Sequence, residues 1–147
     1  MGAVPVYLIV CLLFLSGCAT ERIQHSRDQQ LKVFGIELYS PVDYRQIGES
    51  TATEEPCLKG YERSFDAVDV TIGYGFNGKI RKITTRNRST SMFDIRPGMG
   101  LTEGQSRAVQ AGFIPVSPVH YQKKDLSLTL LADENGMLFG ITVEILD

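Results

Sequence analysis

The sequence predicts an α+β domain in which an antiparallel sheet, built from two β-hairpins, has short helices packed on one of its faces. Three observations carry that expectation. Two Asn-Gly pairs, Asn77-Gly78 and Asn135-Gly136, each stand between runs of alternating apolar and polar residues. Helix signals occur at residues 41–48 and 101–112. The order of elements in the first half recurs in the second, which reads as an internal duplication with units 31–88 and 89–147.

Residues 31–38 open the domain. Leu31, Val33, Phe34, Ile36 and Leu38 alternate loosely with polar positions, which fits a short strand or strand-like lead-in. Pro41 ends it. About two helical turns can follow, with Pro41 at the first helical position and Gly48 just past the end. Residues 48–60 show no apolar periodicity and are expected to form a loop of about a dozen residues, a length that often carries function.

The first hairpin, with strands at residues 61–74 and 79–86, flanks Asn77-Gly78. A two-residue type I′ turn needs positive φ at both central residues, and Asn-Gly supplies them. Pairing across it sets Val70 against Thr85 and Ile72 against Ile83 on one face, with Thr71 against Thr84 and Asp69 against Arg86 on the other. The second helix carries stronger signals. Thr102-Glu103-Gly104-Gln105 has the form of a capping box. Leu101, Gln105, Ala108, Val109 and Gly112 share a face, and Gly112 marks the stop. The second hairpin sets Leu126, Leu128, Leu130 and Ala132 against Ile145, Val143, Ile141 and Phe139, with Thr129 against Thr142 on the opposite face. Burying one face of alternating strands is what an antiparallel sheet does.

The duplication is visible in register. Shifting residues 68–72 by 58 positions lays them on 126–130, Asn77-Gly78 on Asn135-Gly136, and Ile83-Thr84 on Ile141-Thr142. Phe34-Gly35-Ile36 falls on Phe93-Asp94-Ile95 at a spacing one residue longer.

Residues 1–17 have a different character. They carry no charged side chain, and their apolar run from Val4 to Leu15 is shorter than the roughly twenty residues a membrane span needs. An apolar run followed by small residues is the pattern of a secretory signal peptide. No Lys or Arg precedes the run, so a start upstream of Met1 is expected. Val6 stands where N-myristoylation of Gly2 would want Ser or Thr. Leu15-Ser16-Gly17-Cys18 resembles the lipobox of bacterial lipoproteins. That resemblance implies cleavage between Gly17 and Cys18 and a diacylglyceryl group on the Cys18 thiol, so that Cys18 becomes the acylated first residue. Membrane lipid, reached through acylated Cys18, is then the first partner. Ala19 follows the Cys where the inner-membrane retention signal of such lipoproteins has Asp, so an outer-membrane position facing the periplasm is expected. Residues 18–30, with Ile23 as their one large apolar residue, read as a tether.

The mature part, residues 18–147, is long enough for one domain, residues 31–147, with one core. Lys and Arg number 15 against 17 Asp and Glu, a net charge of -2, and no global field recruits nucleic acid. With Cys11 in the leader and Cys18 acylated, Cys57 has no partner for an intramolecular disulfide. Its acidic neighbours disfavour a reactive thiolate, so a quiet thiol is expected, with an intermolecular disulfide as the alternative. Catalysis would need a nucleophile beside a base, paired carboxylates or a ligand cluster, and the spacing offers none. His25 lies in the tether. His120, in the domain, reads as a structural histidine at a strand edge. Lys79, Arg81, Lys82, Arg86 and Arg88 read as a solvated strand, or as a contact with anionic lipid, glycan or an acidic partner. No cofactor, metal or catalytic residue is expected.

Residues 95–105, Ile-Arg-Pro-Gly-Met-Gly-Leu-Thr-Glu-Gly-Gln, with Ala111-Gly112-Phe113-Ile114-Pro115 and the strands that follow, resemble SmpA/BamE-like lipoproteins and the related tandem-repeat β-lactamase inhibitor proteins. Gly100-Leu101-Thr102 matches the helix-start triplet of that pattern. Ser106 departs from it, as does the additional residue between Gly112 and Pro115. The resemblance implies a helix-plus-sheet module that binds proteins in the cell envelope. The expectation is therefore a lipid-anchored, non-catalytic protein-interaction module whose partner is an envelope protein. Two alternatives stay open: an inhibitor of a hydrolase such as a β-lactamase or lysozyme, and an accessory subunit of an envelope enzyme. Metabolic labelling with a fatty acid checks the anchor. The label is expected on the wild-type protein and absent from Cys18→Ser, and label retained in that variant would exclude the lipobox reading.

Overall fold

The computed structural model describes residues 32–33, 36–41 and 54–146. Gly17, Cys18, the tether and His25 lie outside them, as does the first expected helix beyond Pro41. Strands β3 (Glu54–Cys57), β4 (Gly60–Phe65), β5 (Val70–Gly75), β6 (Ile80–Thr85), β7 (Ile114–Pro115), β8 (His120–Lys123), β9 (Leu126–Ala132) and β10 (Leu138–Ile145) form one sheet. Their order is β3-β4-β5-β6-β10-β9-β8-β7, with every neighbour antiparallel. β1 (Lys32–Val33) and β2 (Ile36–Glu37) make a separate two-stranded ribbon. Helix α1 (Leu101–Gln110) is the one α-helix among the described residues.

This architecture corrects the expected α+β class. The described chain is predominantly antiparallel sheet with a single helix, not a sheet covered by a helical layer. The reason is how the core face is closed. α1 buries only Gly104 and Ala108. The rest of the cover is irregular chain and the small ribbon: Val33, Ile36 and Leu38, then Met92, Phe93 and Ile95, then Phe113. Phe93 and Phe113 meet edge to face with ring centroids 4.8 Å apart. Phe93 and Asp94 both take positive φ in a tight turn closed by reciprocal Met92–Ile95 backbone bonds of 3.0 Å. Positive φ is costly for a bulky residue. The buried ring of Phe93 offsets that cost by filling the core.

Three sequence expectations are revised in the strands, and one further pair of strands is added. The lead-in at 31–38 is a ribbon with Val33 opposite Ile36, not one strand. The expected loop at 48–60 contains β3, which pairs with β4 from Glu54↔Arg63 to Cys57↔Gly60. Residues 61–74 are two strands, separated by a 3-10 turn at Asp66–Val68 and by Asp69 at φ 51. β7 and β8 complete the second half of the sheet. Edge strands escape a periodicity reading because neither of their faces is well buried. Pro56, Cys57, Ile114 and Pro115 are all exposed.

Inside the sheet the hairpin registers agree with expectation at Val70↔Thr85, Thr71↔Thr84, Ile72↔Ile83, Leu128↔Val143, Thr129↔Thr142 and Leu130↔Ile141. The turns do not. Each is a three-residue loop in place of the two-residue type I′ form, closed by Gly75 N–H to Lys79 O (2.9 Å) and by Asp133 N–H to Met137 O (2.9 Å). Gly78 and Gly136 hold the left-handed position at φ 73 and 72, as such loops require. The additional loop residue moves the register by one, and a bulge moves it back. Tyr74 pairs with Ile80, Gly73 with Lys82, and Arg81 is the bulged residue. In the second hairpin Ala132 pairs with Leu138, not with Phe139 as expected, and Phe139 is bulged.

The halves share the bonds that hold the segment before each helix position against the second strand of its hairpin. Tyr39 N–H donates to Ile80 O (2.9 Å) as Gly98 N–H does to Leu138 O (2.7 Å). Ile80 N–H donates to Ser40 O (2.8 Å) as Leu138 N–H does to Met99 O (2.8 Å). Pro41 bridges Lys79 as Gly100 bridges Met137. The halves join where β6 meets β10, with Thr84 opposite its own counterpart Thr142.

The helix departs from expectation in detail. It starts at Leu101 with Gly100 as its N-cap and no side-chain cap bond, so the Thr102–Gln105 capping box does not form. Leu101 N–H donates instead to Gly136 O (2.8 Å), and Gln105 Nε2 to Pro118 O (2.8 Å). The inward residues are Leu101, Gly104, Ala108 and Ala111, while Val109 is exposed. Gly104 permits close approach, since a Cβ there would stand 2.7 Å from Leu138 Cδ1. At the other end Lys123 Nζ donates to Ala111 O, a cation at the negative end of the helix dipole.

Leu128 is fully buried at the centre of this core. Leu128→Ala is expected to cost roughly 2 to 5 kcal/mol. Thr129→Ser, on the opposite face, should cost about 0.5 kcal/mol or less. Chemical denaturation of both variants checks the assignment of faces.

Candidate functional site

The face of the sheet opposite the core carries no packed element among the described residues. Its central feature follows from register alone. Ser64 pairs with Thr71, Thr71 with Thr84, Thr84 with Thr142, Thr142 with Thr129, and Thr129 with His120. One side chain from each of six adjacent strands thus stands in a row, spanning roughly 24 Å at ordinary strand spacing. The members bind one another in twos: Ser64 Oγ to Thr71 Oγ1 at 3.0 Å, Thr84 Oγ1 to Thr142 Oγ1 at 2.9 Å, and His120 Nδ1 to Thr129 Oγ1 at 3.0 Å. Thr84 is only 7% exposed, so its hydroxyl needs the Thr142 bond to avoid a desolvation cost of about 1–3 kcal/mol. The sequence placed four of these threonines on one face. It missed Ser64 and His120 as ends of the row, because the 3-10 connection between β4 and β5 has no turn signature and β8 is short.

A parallel row is charged. Glu62, Gly73, Lys82, Glu144, Ser127 and Gln122 occupy the next level. Gly73 leaves space between the strands, and Lys82 Nζ reaches across to Glu62 Oε1 at 2.8 Å. Both side chains are about one-third exposed, which keeps the contribution of the pair small.

The remaining sequence candidates are dispersed. Arg81 Nη2 donates to Ile145 O at 3.3 Å. Lys79, Arg86 and Arg88 are exposed. The expected Asp69–Arg86 contact exists through the backbone, with Arg86 N–H on Asp69 O at 2.8 Å. Cys57 is exposed at the end of edge strand β3. It lies six strand spacings from His120, roughly 29 Å, so the two cannot act as nucleophile and base. Ser117 Oγ accepts the backbone N–H of Val119 and of His120. Among the described residues no group of three His, Cys, Asp or Glu is placed to hold a metal ion, and no helix is long and apolar enough to cross a membrane. Tyr39, Asn77, Lys79, Ile80, Arg81 and Ile145 line an open depression of about 170 Å³.

Tyr39 beside this depression ties the two halves together. Its hydroxyl donates to Asp125 Oδ2 in the β8–β9 turn. Burial and the neighbouring carboxylate push the phenol up to about 12, and the same hydrogen bond holds Asp125 below its ordinary range. Comparison with protein-family models, with curated proteins and with solved structures finds no match.

The pH consequences have definite signs. The phenol is raised in the folded state, so its contribution is complete below about pH 10 and lost as pH climbs through about 12. Asp125 is lowered, so its contribution is complete above about pH 4 and lost as pH falls further. Tyr39→Phe is expected to raise the Asp125 pKa towards its ordinary value and to flatten the fall in stability above pH 10. Carboxyl titration by NMR and stability curves against pH check both.

Proposed function

We propose that the chain is a lipid-anchored, non-catalytic protein-interaction module of the cell envelope, held through acylated Cys18 and docking an envelope protein on the open face of its sheet. The observation that carries this reading is the row from Ser64 to His120. An eight-stranded sheet buries its apolar side chains on one face and presents on the other a broad surface of hydroxyls and mixed charge. Such a surface has the shape of a docking platform. Hydroxyls already bonded in pairs are held in fixed positions, which lowers the entropy cost of meeting a partner. The resemblance of residues 95–115 to SmpA/BamE-like lipoproteins and the Leu15–Cys18 lipobox support the envelope setting.

Site-specific photo-crosslinking in the envelope tests the reading. A photoreactive residue at Thr71 or Gln122 is expected to form a discrete adduct with an envelope protein, while one at Glu134, in the turn of the second hairpin, is not. Adducts at Glu134 alone would move the partner off this face.

A further inference from the structure

We infer that one end of the sheet is a membrane-contact tip, in which Leu58 and Phe76 enter the interface of an anionic bilayer and lysines around them meet lipid headgroups. The inference rests on the reading of Cys18 as an acylated anchor, because the tip meets a bilayer only on a protein held beside one. Gly60 pairs with Gly75, which sets the β3–β4 and β5–β6 turns side by side. Leu58 is fully exposed at the first turn and Phe76 is 73% exposed at the second. Tyr61 lies beneath them, 5.7 Å from the Phe76 ring and stacked on Tyr74 at 5.6 Å. The result is an aromatic ledge with two apolar side chains beyond it.

The repeat provides an internal control. Glu134 stands in the second hairpin where Phe76 stands in the first, inside the same three-residue loop with the same closing bonds. The turn itself therefore has no need of Phe. Leaving a large apolar side chain in water forgoes its burial energy, so the difference between the two turns points to something outside the chain. Because β6 and β10 are antiparallel, the two loops lie at opposite ends of the sheet; near the second loop Met137 and Phe139 are each more than half covered, whereas Leu58 and Phe76 are largely or wholly bare.

Charge selects the occupant. Lys59 and Lys79 are exposed next to Leu58 and Phe76. The β8–β9 turn reaches the same end, since Leu126 pairs with Ile145 and Glu144 with Lys82, and it adds exposed Lys124. Among the described residues the carboxylates there include Asp125, which accepts the Tyr39 hydroxyl, Glu62, which accepts from Lys82, and half-buried Glu144. Exposed apolar side chains ringed by long cationic ones match a bilayer interface, where the rings and methyls sink and the ammonium groups stay at the phosphates. The chain also enters at this end, through the Tyr39–Ile80 and Pro41–Lys79 pairings. Fully extended, the residues from Cys18 to Lys32 reach at most roughly 50 Å, ample for the tip to rest on the bilayer that holds the anchor.

The chain contains no Trp, so Phe76→Trp introduces a unique reporter and Glu134→Trp its control. Full-length protein carrying either change is bound to vesicles containing about one-third anionic lipid and brominated acyl chains. The expected result is a blue-shifted emission for Phe76→Trp with quenching at least about two-fold greater than for Glu134→Trp. Replacing Lys79 or Lys124 with Gln should weaken vesicle binding about five-fold each. Equal quenching at both positions, or none at position 76, overturns the inference. So does an indole at position 76 that stays in water on vesicles and becomes shielded only when envelope protein is added, which assigns the tip to a protein. Fatty-acid labelling of the same samples separates the two readings. Label with no quenching defeats the tip alone, and quenching with no label defeats the anchor alone.

Discussion

The β6–β10 pairing is the contact on which the rest of the structure depends. It is the one place where the two halves of the sheet share backbone hydrogen bonds, from Lys82↔Glu144 to Thr85↔Ile141. Ile83, Ile141 and Val143, none measurably exposed, stand on its core side, and the Thr84–Thr142 hydroxyl bond stands on the other. Without this seam each half would be a four-stranded meander with one long apolar edge. Long open edges of that kind invite pairing with other chains. The seam removes them, and the edges that remain, β3 and β7, are short and carry Pro56 and Pro115.

The hairpins were legible in the sequence because alternation and Asn-Gly act locally. Their interior registers were right although their turns were not. The additional residue of the three-residue loop and the bulge at Arg81 or Phe139 cancel, which leaves every pair beyond the bulge where a two-residue turn would have put it. What stayed hidden was non-local. β3 and β7 are defined by their partners and not by their own patterning. The chain that covers the core is irregular, so Met92, Phe93 and Ile95 gave no helical stripe to find. The capping box at Thr102 was overridden when Gly136 O took the first helical amide. The open face was partly legible, four threonines of a six-residue row.

The proposed function draws on the ways the two halves differ. Their shared bonds fix the scaffold, and substitutions at equivalent positions give it direction. Phe76 against Glu134 and Lys79 against Met137 make one end of the sheet apolar and cationic. With that end on a bilayer, the strands would stand upright and the hydroxyl row would face sideways, open to a neighbour in the same membrane. Tyr39 and Asp125 bind the entering chain to the second half near that end.

Native-state hydrogen exchange, read amide by amide, tests the seam most directly. The account predicts that the amides of Ile83, Thr85, Ile141 and Val143 or their immediate neighbours in β6 and β10 exchange most slowly, at a single free energy equal to that of global unfolding, with β3 and β7 far faster. Two separate free energies, one for residues 54–85 and another for residues 114–145, with the β6–β10 amides opening before either, would show two independent halves and contradict it.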